Sequence, residues 1–292
     1  MRATVLYNPN AGHGEISEEV VLTAVQAAGL KATLVSTKDK NFAETLAEPT
    51  DIIVAAGGDG TVARVIRHLP DRDIPIAILP LGGANNIART FGIIGPWQML
   101  PAGWKRAKKV SLDVGAARGP WGVHMLIEGI GVGAVARTIE SGVDHRDPKK
   151  KMLLGRRTLR KLLRKEQPHG LRIWLDGKEM SDDALMFEAL NIRYTGSSLK
   201  LAPKADPGDG LLDVLCVGER DRKTMLKWLE TPHAQLPRSI KVRRGRKLKI
   251  EWQDVPLHLD DKLPDPPDSK KVVTVKLERD PVKILAPPGF KP

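Results

Sequence analysis

The stretch "VAAGGDGTVARV", residues 54–65, joins an apolar run to a helical pattern through a turn that contains three glycines and an aspartate. Glycines at the end of a strand allow positive φ angles and a close approach of the backbone to a ligand. The helix that follows directs its free N–H groups and the positive end of its dipole into the same space, which favours an anion such as phosphate. The turn therefore predicts a phosphate-binding loop at the end of a strand.

Asp59 is the unusual residue of this turn, because a carboxylate and a phosphate repel each other. A divalent metal between the two groups removes the conflict. So does an orientation in which Asp59 faces a second substrate and accepts its proton. Both arrangements indicate phosphoryl transfer, whereas a third interpretation makes Asp59 only the N-cap of the helix that follows.

Strands and helical patterns alternate over the first hundred residues. Continuous apolar strands such as "DIIVAA" and "IPIAILP" are typical of a parallel sheet that is covered on both faces. Beyond residue 107 most runs read as strands separated by turn residues, which favours an antiparallel β-sandwich. We therefore predict an α/β, Rossmann-like N-terminal domain at residues 1–107 and a mostly antiparallel β-sandwich at residues 108–292. Whether the last strand returns to the first domain is left open.

Within the second domain, "KKVSLDVGAA" and "WGVHMLIEGIGVG" each read as one strand. Helical spacing of apolar residues predicts three helices there. They are expected near "VGAVARTIES", in the run 149–166 and at "DRKTMLKWLE".

Two further loops rich in glycine and asparagine follow predicted strands. "YNPNAGHG" places Asn8 after the first strand, and "LPLGGANNIART", residues 79–90, places Gly82 and Gly83 after another. The carboxyl ends of parallel strands meet at one edge of a sheet, where open α/β proteins bind ligands. Three such loops together predict a shared ligand site at that edge.

These motifs carry a family resemblance. "NPNAG", "GGDGTVARV" and "LPLGGANNIAR" resemble the catalytic domain of the diacylglycerol kinase and sphingosine kinase superfamily. "LKLAPKADPGDGLLDVLCV", residues 199–217, resembles the second-domain motif of its bacterial branch, the YegS/BmrU-like lipid kinases. The resemblance implies a fold of the NAD-kinase and diacylglycerol-kinase type. It also implies an ATP-dependent kinase that phosphorylates a hydroxyl of a diacylglycerol-like or related lipid, with the nucleotide in a cleft between the two domains.

The resemblance also implies which residues form the site. Nucleotide contacts are expected at Asn8, Thr37, Gly57, Gly58, Asp59, Gly60, Thr61, Gly82 and Gly83. A magnesium ion is expected at Asp206, Asp209 and the backbone carbonyl of Leu211, a set of oxygen ligands that suits a hard cation. Without the family, "ADPGDG" would be a turn between strands, and Asp213 is expected on the polar face of its strand.

Two departures from the family pattern bear on catalysis. Gly83 stands where the family has Thr or Ser, and Asn86 where it has Asp. The late family motif "DGE" carries a glutamate that accepts the proton, but "LHLDDKLP" has Lys262 there, and a protonated lysine accepts no proton. Three explanations stay open: Asp261 or Asp59 replaces the base, the register shifts by one, or catalysis is weak or absent. The alternatives to a lipid kinase are therefore an inactive lipid- or nucleotide-binding pseudo-kinase and an NAD kinase, which shares "GGDGT".

The net charge of +12 favours an anionic partner. The basic run 149–165 has apolar residues on one helical side, which is typical of contact with an anionic membrane, although its leucines would also suit packing on the sandwich. Nucleic acid is disfavoured, because no binding motif is recognised and aromatic residues are few. A homodimer is left open. One cysteine and no apolar stretch of ~20 residues lead us to expect a soluble cytoplasmic protein that associates peripherally with a membrane.

Overall fold

A computed structural model describes residues 1–145, 147–180, 182–231 and 235–291 of the chain. The chain divides into two units. Unit 1 comprises Met1–Leu112 and Asp280–Pro292, and unit 2 comprises Asp113–Arg279.

The elements of both units are numbered along the chain. The strands are β1 (Arg2–Tyr7), β2 (Lys31–Ser36), β3 (Ile52–Gly57), β4 (Ile76–Pro80), β5 (Lys108–Leu112), β6 (Gly115–Gly119), β7 (Gly122–Leu126), β8 (Gly129–Gly133), β9 (His169–Leu175), β10 (Lys178–Glu179), β11 (Asp182–Leu190), β12 (Leu212–Gly218), β13 (Val242–Gly245), β14 (Lys247–Trp252), β15 (Leu257–Leu259), β16 (Lys271–Leu277) and β17 (Val282–Ala286). The helices are α1 (Glu18–Ala27), α2 (Phe42–Ala47), α3 (Asp59–Arg67), α4 (Asn86–Thr90), α5 (Ala134–Glu140), α6 (Pro148–Lys165) and α7 (Arg222–Glu230). Short 3₁₀ turns lie at Ala11–Gly14, Trp97–Met99, Pro101–Arg106 and Glu219–Asp221.

Unit 1 is built on a six-stranded sheet in the order β2-β1-β3-β4-β17-β5. Strands β1 to β4 are parallel, β17 runs parallel to β4, and β5 runs antiparallel to β17. Every residue of β3 is buried, as expected for a central strand with both faces covered. The predicted parallel-sheet α/β fold is confirmed. The sheet reaches Leu112, five residues beyond the expected boundary at 107, because β5 pairs with the returning strand β17.

The first helix, α1, begins after a capping residue and buries one apolar face. Ser17 caps α1, since its side chain accepts a hydrogen bond from the Val20 N–H at 3.4 Å. Val21 and Val25 lie one helical turn apart and are fully buried in the core of unit 1.

Unit 2 is a mostly antiparallel sheet whose longest path is β13-β12-β11-β9-β14-β16-β6-β7, with β8 pairing β11 and β15. Residues from along this path, such as Leu212 on β12, Ile250 on β14 and Leu126 on β7, meet in one core. The predicted sandwich is therefore confirmed. Helices α5, α6 and α7 form where three were expected, and their apolar side chains share a second core with β11 and β12. In the described part of the chain, no helix is both long and apolar enough to cross a bilayer.

Two of the predicted strands are each divided in two, so those predictions were wrong. "KKVSLDVGAA" contributes β5 to unit 1 and β6 to unit 2. "WGVHMLIEGIGVG" forms β7 and β8, because the carboxylate of Asp260 accepts hydrogen bonds from the N–H groups of Ile127, Glu128 and Gly129 between them.

At the carboxyl edge of the unit 1 sheet, the loops after β3 and β4 touch through their backbones. The Leu81 N–H donates to the Gly57 carbonyl at 3.0 Å. A Cβ atom on Gly82 would lie 2.5 Å from the Gly58 Cα atom and 2.8 Å from Asn85 Oδ1. Glycine is therefore required at position 82 by the neighbouring loop, whatever ligand is bound.

Gly82→Ala should destabilise the protein, because the methyl group overpacks a contact between two backbones, at a typical cost of about 1–3 kcal/mol. Gly103→Ala is the matched control, since a Cβ atom there meets no heavy atom within 4 Å. Urea unfolding followed by circular dichroism measures both variants. Equal stability of the two variants would contradict the close contact.

Candidate functional site

The loop that connects β3 to α3 is joined to the loop after β1 by side chains. Thr61 is buried in the first turn of α3, and its Oγ1 atom accepts a hydrogen bond from Asn8 Nδ2 at 3.3 Å. Asn8 Oδ1 in turn accepts from the Asn10 N–H at 3.0 Å. The structure thus brings two of the predicted nucleotide contacts into direct contact.

Asp59 is the first residue of α3, but it does not cap that helix. The N-cap is Gly58, which provides no side-chain hydrogen bond. The two carboxylate oxygens of Asp59 accept hydrogen bonds from the N–H groups of Asn86 and Ile87, both at 2.9 Å. These are the first two residues of α4. The N-cap interpretation was therefore wrong about the helix: Asp59 holds the start of the neighbouring helix and fixes the loop after β4.

Asn85 closes the loop after β4 and was not predicted from the sequence. Its φ angle is 51°, a left-handed conformation in which asparagine is enriched. Its side chain accepts from the Gly82 N–H at 3.0 Å and donates to the Gly82 carbonyl at 2.7 Å. The two consecutive asparagines after "LGGA" could have indicated such a loop, because asparagine tolerates the left-handed conformation. Gly83 is half-buried in this loop, whereas Gly60 is exposed at the start of α3.

Thr37 follows β2 at the same edge of the sheet. Its N–H donates to the Tyr7 carbonyl at 2.8 Å, and the Asn8 N–H donates to the Ala56 carbonyl at 3.0 Å. The predicted contacts Asn8, Thr37, Gly57 and Gly82 therefore mark the carboxyl ends of four neighbouring strands, β1 to β4.

The "ADPGDG" loop of unit 2 is held by its own aspartates. Asp206 accepts from the Gly208 N–H at 3.1 Å, and Asp209 accepts from the Leu211 N–H at 3.0 Å. Asp209 also forms an ion pair with Arg244. Within the residues that the structure describes, no group of three or more His, Cys, Asp or Glu side chains is arranged to hold a metal.

Asp213 is buried beside this loop, contrary to the expectation of a polar strand face. Its side chain is 3% exposed, and Arg244 Nε lies 3.5 Å from Oδ2. Burial raises the pKa of Asp213 to about 6, the guanidinium of Arg244 opposes the shift, and the charges of Asp209 and Asp206 add to it. Arg244 thus pairs with two carboxylates, those of Asp209 and Asp213, and Asp206 lies near enough for its charge to act on Asp213.

Asp113 ties the start of unit 2 to the same loop. It is buried, its Oδ2 atom accepts from the Gly210 N–H at 2.6 Å, and its own N–H donates to the Pro207 carbonyl at 2.6 Å. This role was not predicted, although an aspartate between the apolar residues of "LDV" was a readable signal for a buried carboxylate with a partner.

The "DDK" segment is a tight turn. Leu259 and Lys262 exchange two backbone hydrogen bonds of 2.8 and 2.9 Å. Asp260 has a φ angle of 53° and directs its carboxylate at residues 127–129. Asp261 and Lys262 are exposed. Asp260 is therefore structural, and the side chains that the turn presents to solvent are one carboxylate and one ammonium group.

A buried pair, His258 and Glu188, supports this turn from inside unit 2. The two side chains are 1% and 0% exposed, with His258 Nε2 3.0 Å from Glu188 Oε2. His258 Nδ1 lies 3.0 Å from the Asp260 carbonyl, which only accepts, so Nδ1 carries a hydrogen. One further proton is then shared between Nε2 and the carboxylate. Burial raises the pKa of Glu188; burial lowers the pKa of His258, but the nearby Glu188 carboxylate and the Asp260 carbonyl outweigh it and raise that pKa overall.

Two family models match the chain. The diacylglycerol kinase catalytic domain matches residues 2–116, and the YegS C-terminal NAD kinase beta sandwich-like domain matches residues 129–278. The chain is 26% identical over 281 residues to a diacylglycerol kinase of Mycobacterium tuberculosis, covering 89% of this chain and 88% of that protein. It is 31% identical over 220 residues to a Pseudomonas aeruginosa protein named "Probable lipid kinase YegS-like", covering 72% of this chain and 70% of that protein.

Solved structures share the fold. A diacylglycerol kinase of Bacillus anthracis superposes with a TM-score of 0.71 at 19% identity, covering 99% of this chain and 98% of that chain. An NAD kinase of Archaeoglobus fulgidus in complex with ATP superposes with a TM-score of 0.55 at 15% identity, covering 98% and 94%. Both comparisons support the predicted fold class.

The shared proton of His258 and Glu188 should make stability depend on pH. An unfolded histidine releases its proton near its ordinary pKa of 6.5, whereas the folded pair keeps it to a higher pH. The folded state then binds more protons, so stability falls as the pH rises from 6.5 through the raised pKa of His258.

Glu188→Gln should remove this slope, because a neutral amide donates to a neutral imidazole. Glu188→Ala leaves His258 buried without its partner and should cost about 3–5 kcal/mol. Free energies of unfolding at about pH 6 and pH 9 measure both effects. The same slope in Glu188→Gln as in the wild type would contradict the shared proton.

Proposed function

Because the chain belongs to the diacylglycerol kinase family, in the branch with the YegS-type C-terminal domain, we propose that it is an ATP-dependent lipid kinase. Its acceptor would be a hydroxyl group of a diacylglycerol-like or related lipid. The family resemblance inferred from the glycine loops is thereby confirmed, whereas the nucleotide and the lipid are proposals. The observation that supports them most is the set of interlocked loops at the carboxyl ends of β1, β3 and β4, joined by the Asn8–Thr61 hydrogen bond and the Gly58–Gly82 contact.

The phosphates of ATP would bind at these loops in unit 1. The start of α3 follows directly on the carboxyl end of β3, and the N-terminus of a helix at such a place stabilises a polyphosphate. The predicted contacts on these loops are Asn8, Thr37, Gly57, Gly58, Asp59, Gly60, Thr61, Gly82 and Gly83. Since Asp59 holds the start of α4, it would position the loop after β4 for the same phosphates.

A magnesium ion would be held by Asp206, Asp209 and the carbonyl of Leu211 in unit 2. When bound, it neutralises charge on the phosphate oxygens during transfer. What supports a cation at this loop is its donor set, because Asp206 and Asp209 are three residues apart and carboxylate and carbonyl oxygens are the ligands of hard cations. Arg244, which pairs with Asp209, would have to share that carboxylate with the ion.

The acceptor of the hydroxyl proton would be Asp261 or Asp59. Asp261 is exposed on the 259–262 turn, and Asp59 is hydrogen-bonded by α4. The ammonium group of Lys262 attracts an anion and has no lone pair with which to accept a proton. Because phosphoryl transfer depends mainly on positioning and charge neutralisation, the loss of one base is compatible with a slower enzyme. An inactive pseudo-kinase and an NAD kinase remain the alternatives.

The lipid would be reached at an anionic membrane surface, with α6 as one contact. Leu159 and Leu163 of α6 are buried in unit 2, so the packing interpretation is confirmed for them. Leu153 and Leu154 are 39% and 36% exposed. The exposed face also carries cations at helical spacing: Lys150, Arg157, Lys161 and Arg164. This mixed face supports contact with headgroups through the run 149–165.

A kinase assay with ATP, magnesium and diacylglycerol in mixed micelles tests the function. The wild type should phosphorylate the lipid, and Asp59→Ala should lower turnover by roughly 10²–10⁴-fold, the usual contribution of a positioned acid or base. Glu44→Gln, on an exposed position of α2, is the control and should retain wild-type turnover. Asp59→Ala with normal turnover would refute the role of Asp59.

Lys262→Glu in the same assay distinguishes the alternatives. An inactive wild type with a Lys262→Glu variant that gains transfer would establish the pseudo-kinase. Phosphorylation of NAD in place of lipid would establish the NAD kinase.

Asp209→Ala should raise the magnesium concentration needed for half-maximal activity, because it removes one oxygen ligand of the proposed site. It should also reduce the rise in melting temperature that magnesium gives the wild type. Glu140→Ala, at the exposed end of α5, is the control with an equal change of charge. An unchanged magnesium response in Asp209→Ala would place the ion elsewhere.

A further inference from the structure

The segment between α4 and β5 has an unusual composition. Residues 90–104, "TFGIIGPWQMLPAGW", contain no charged side chain, although 28% of the whole chain is charged. The next five residues, "KRAKK", contain four cations. An uncharged stretch followed directly by a basic one is the composition of a segment that contacts a membrane surface.

The structure exposes the most apolar part of this segment. Ile94 and Met99 are each 69% exposed, a larger fraction than for any other large apolar side chain in the described residues. Gly95, Pro96 and Gln98 between them are also exposed. We call residues 94–99 the apolar loop.

The residues that flank the apolar loop are packed, so the exposure of Ile94 and Met99 does not result from an unpacked segment. Trp104 and Pro101 are buried behind the apolar loop, and Trp97 and Leu100 pack against the core of unit 1. The Met99 N–H donates to the Pro96 carbonyl at 3.0 Å, so the loop itself is an ordered 3₁₀ turn. An ordered backbone that keeps two large apolar side chains in water indicates a surface that is covered in use.

The charges beside the loop identify what covers it. Lys105, Arg106, Lys108 and Lys109 are all exposed. These four cations follow the apolar loop within ten residues of the sequence, and together the two stretches complement a surface that is anionic outside and apolar inside. A second copy of this chain is a poorer complement, since it carries the same cations and a net charge of +12.

We propose that the apolar loop inserts into the interface of an anionic lipid bilayer, with Ile94 and Met99 among the acyl chains and the cations of residues 105–109 on the headgroups. Trp97, which is half-buried at the base of the loop, would lie at the headgroup level that tryptophan favours. The choice of a bilayer rests on the proposed function, because the lipid substrate of such a kinase lies in a membrane. The loop belongs to unit 1, so this contact is separate from the proposed contact through α6.

Vesicle co-sedimentation in the absence of nucleotide tests the proposal with the chain of 292 residues. The wild type should bind vesicles of phosphatidylcholine with phosphatidylglycerol. The double variant Ile94→Ser, Met99→Gln should lower its partition coefficient by about tenfold or more, since two apolar side chains leave the bilayer. Val123→Ser, Val272→Ser is the matched control: both valines are exposed, at 60% and 50%, on strands of unit 2, and binding should stay within about twofold of wild type.

The charges are tested separately with Lys105→Gln, Arg106→Gln. This variant should bind anionic vesicles about fivefold more weakly per charge removed, and phosphatidylcholine vesicles as the wild type does. Circular dichroism and urea unfolding establish that each variant is folded.

Three results would overturn the proposal: no vesicle binding by the wild type, wild-type binding by the loop variant, or a wild-type dimer that the loop variant converts to a monomer. In the second case, loss of binding in Arg157→Gln, Lys161→Gln would assign the membrane contact to α6 alone. Because no transfer is measured, failure of the kinase assay and failure of the loop are distinguishable.

Discussion

The backbone contact between Gly58 and Gly82 is the constraint on which the unit 1 site depends. It brings the loop after β3 so close to the loop after β4 that a Cβ atom on Gly82 would lie 2.5 Å from the Gly58 Cα atom. Across the same junction, the Asp59 carboxylate accepts hydrogen bonds from the N–H groups of Asn86 and Ile87. Packing within the protein therefore explains two of the glycines in these loops: Gly82 by the neighbouring loop, and Gly57 by the Thr61 side chain, with which a Cβ atom there would collide.

Signals that act within one element were readable in the sequence. The unbroken apolar run of β3 matches a strand that is buried along its whole length, and α1 begins directly after Ser17, a residue type that is typical of helix N-caps. The three loops at the strand ends follow from the parallel order of β1 to β4, and strand order in turn follows from the alternation of strands with helices. That part of the site could be predicted.

Partners far apart in the chain could not be predicted. The break between β7 and β8 depends on Asp260, more than 130 residues away, and β5 belongs to unit 1 only because β17 returns to pair with it. Asp213 occupies a polar position in an alternating strand, yet Arg244 on β13 pairs with it and covers it. The errors at Asp260 and Asp213 share a physical origin, because a charged side chain is predicted to be exposed until its buried partner is known, whereas the error at β5 comes from a strand pairing that is distant in the sequence.

Some cationic side chains of the chain are buried and others are exposed, and the net charge alone does not show which are which. Arg156 is buried and donates to the carbonyls of Trp228, in α7, and Thr231, just after it, whereas Arg244 is 41% exposed and pairs with Asp209 and Asp213. The guanidinium of Arg156 therefore satisfies backbone acceptors inside the fold, while that of Arg244 remains at the surface. Exposed cations that an anionic partner could contact lie on the outer face of α6 and at residues 105–109, and others follow at Arg243, Arg246 and Lys247.

In the 259–262 turn, one side chain supports the fold and two others face solvent. Asp260 keeps its structural role, because its carboxylate holds the backbone of residues 127–129 and its carbonyl receives His258. The buried pair of His258 and Glu188 beneath the turn carries no net charge, since the two side chains share one proton. The charges presented outward, Asp261 and Lys262, also sum to zero. The turn is thus fixed from inside unit 2 by Asp260 and His258, while the charges on its outer side cancel, so a ligand beside it would meet no net charge from the turn itself.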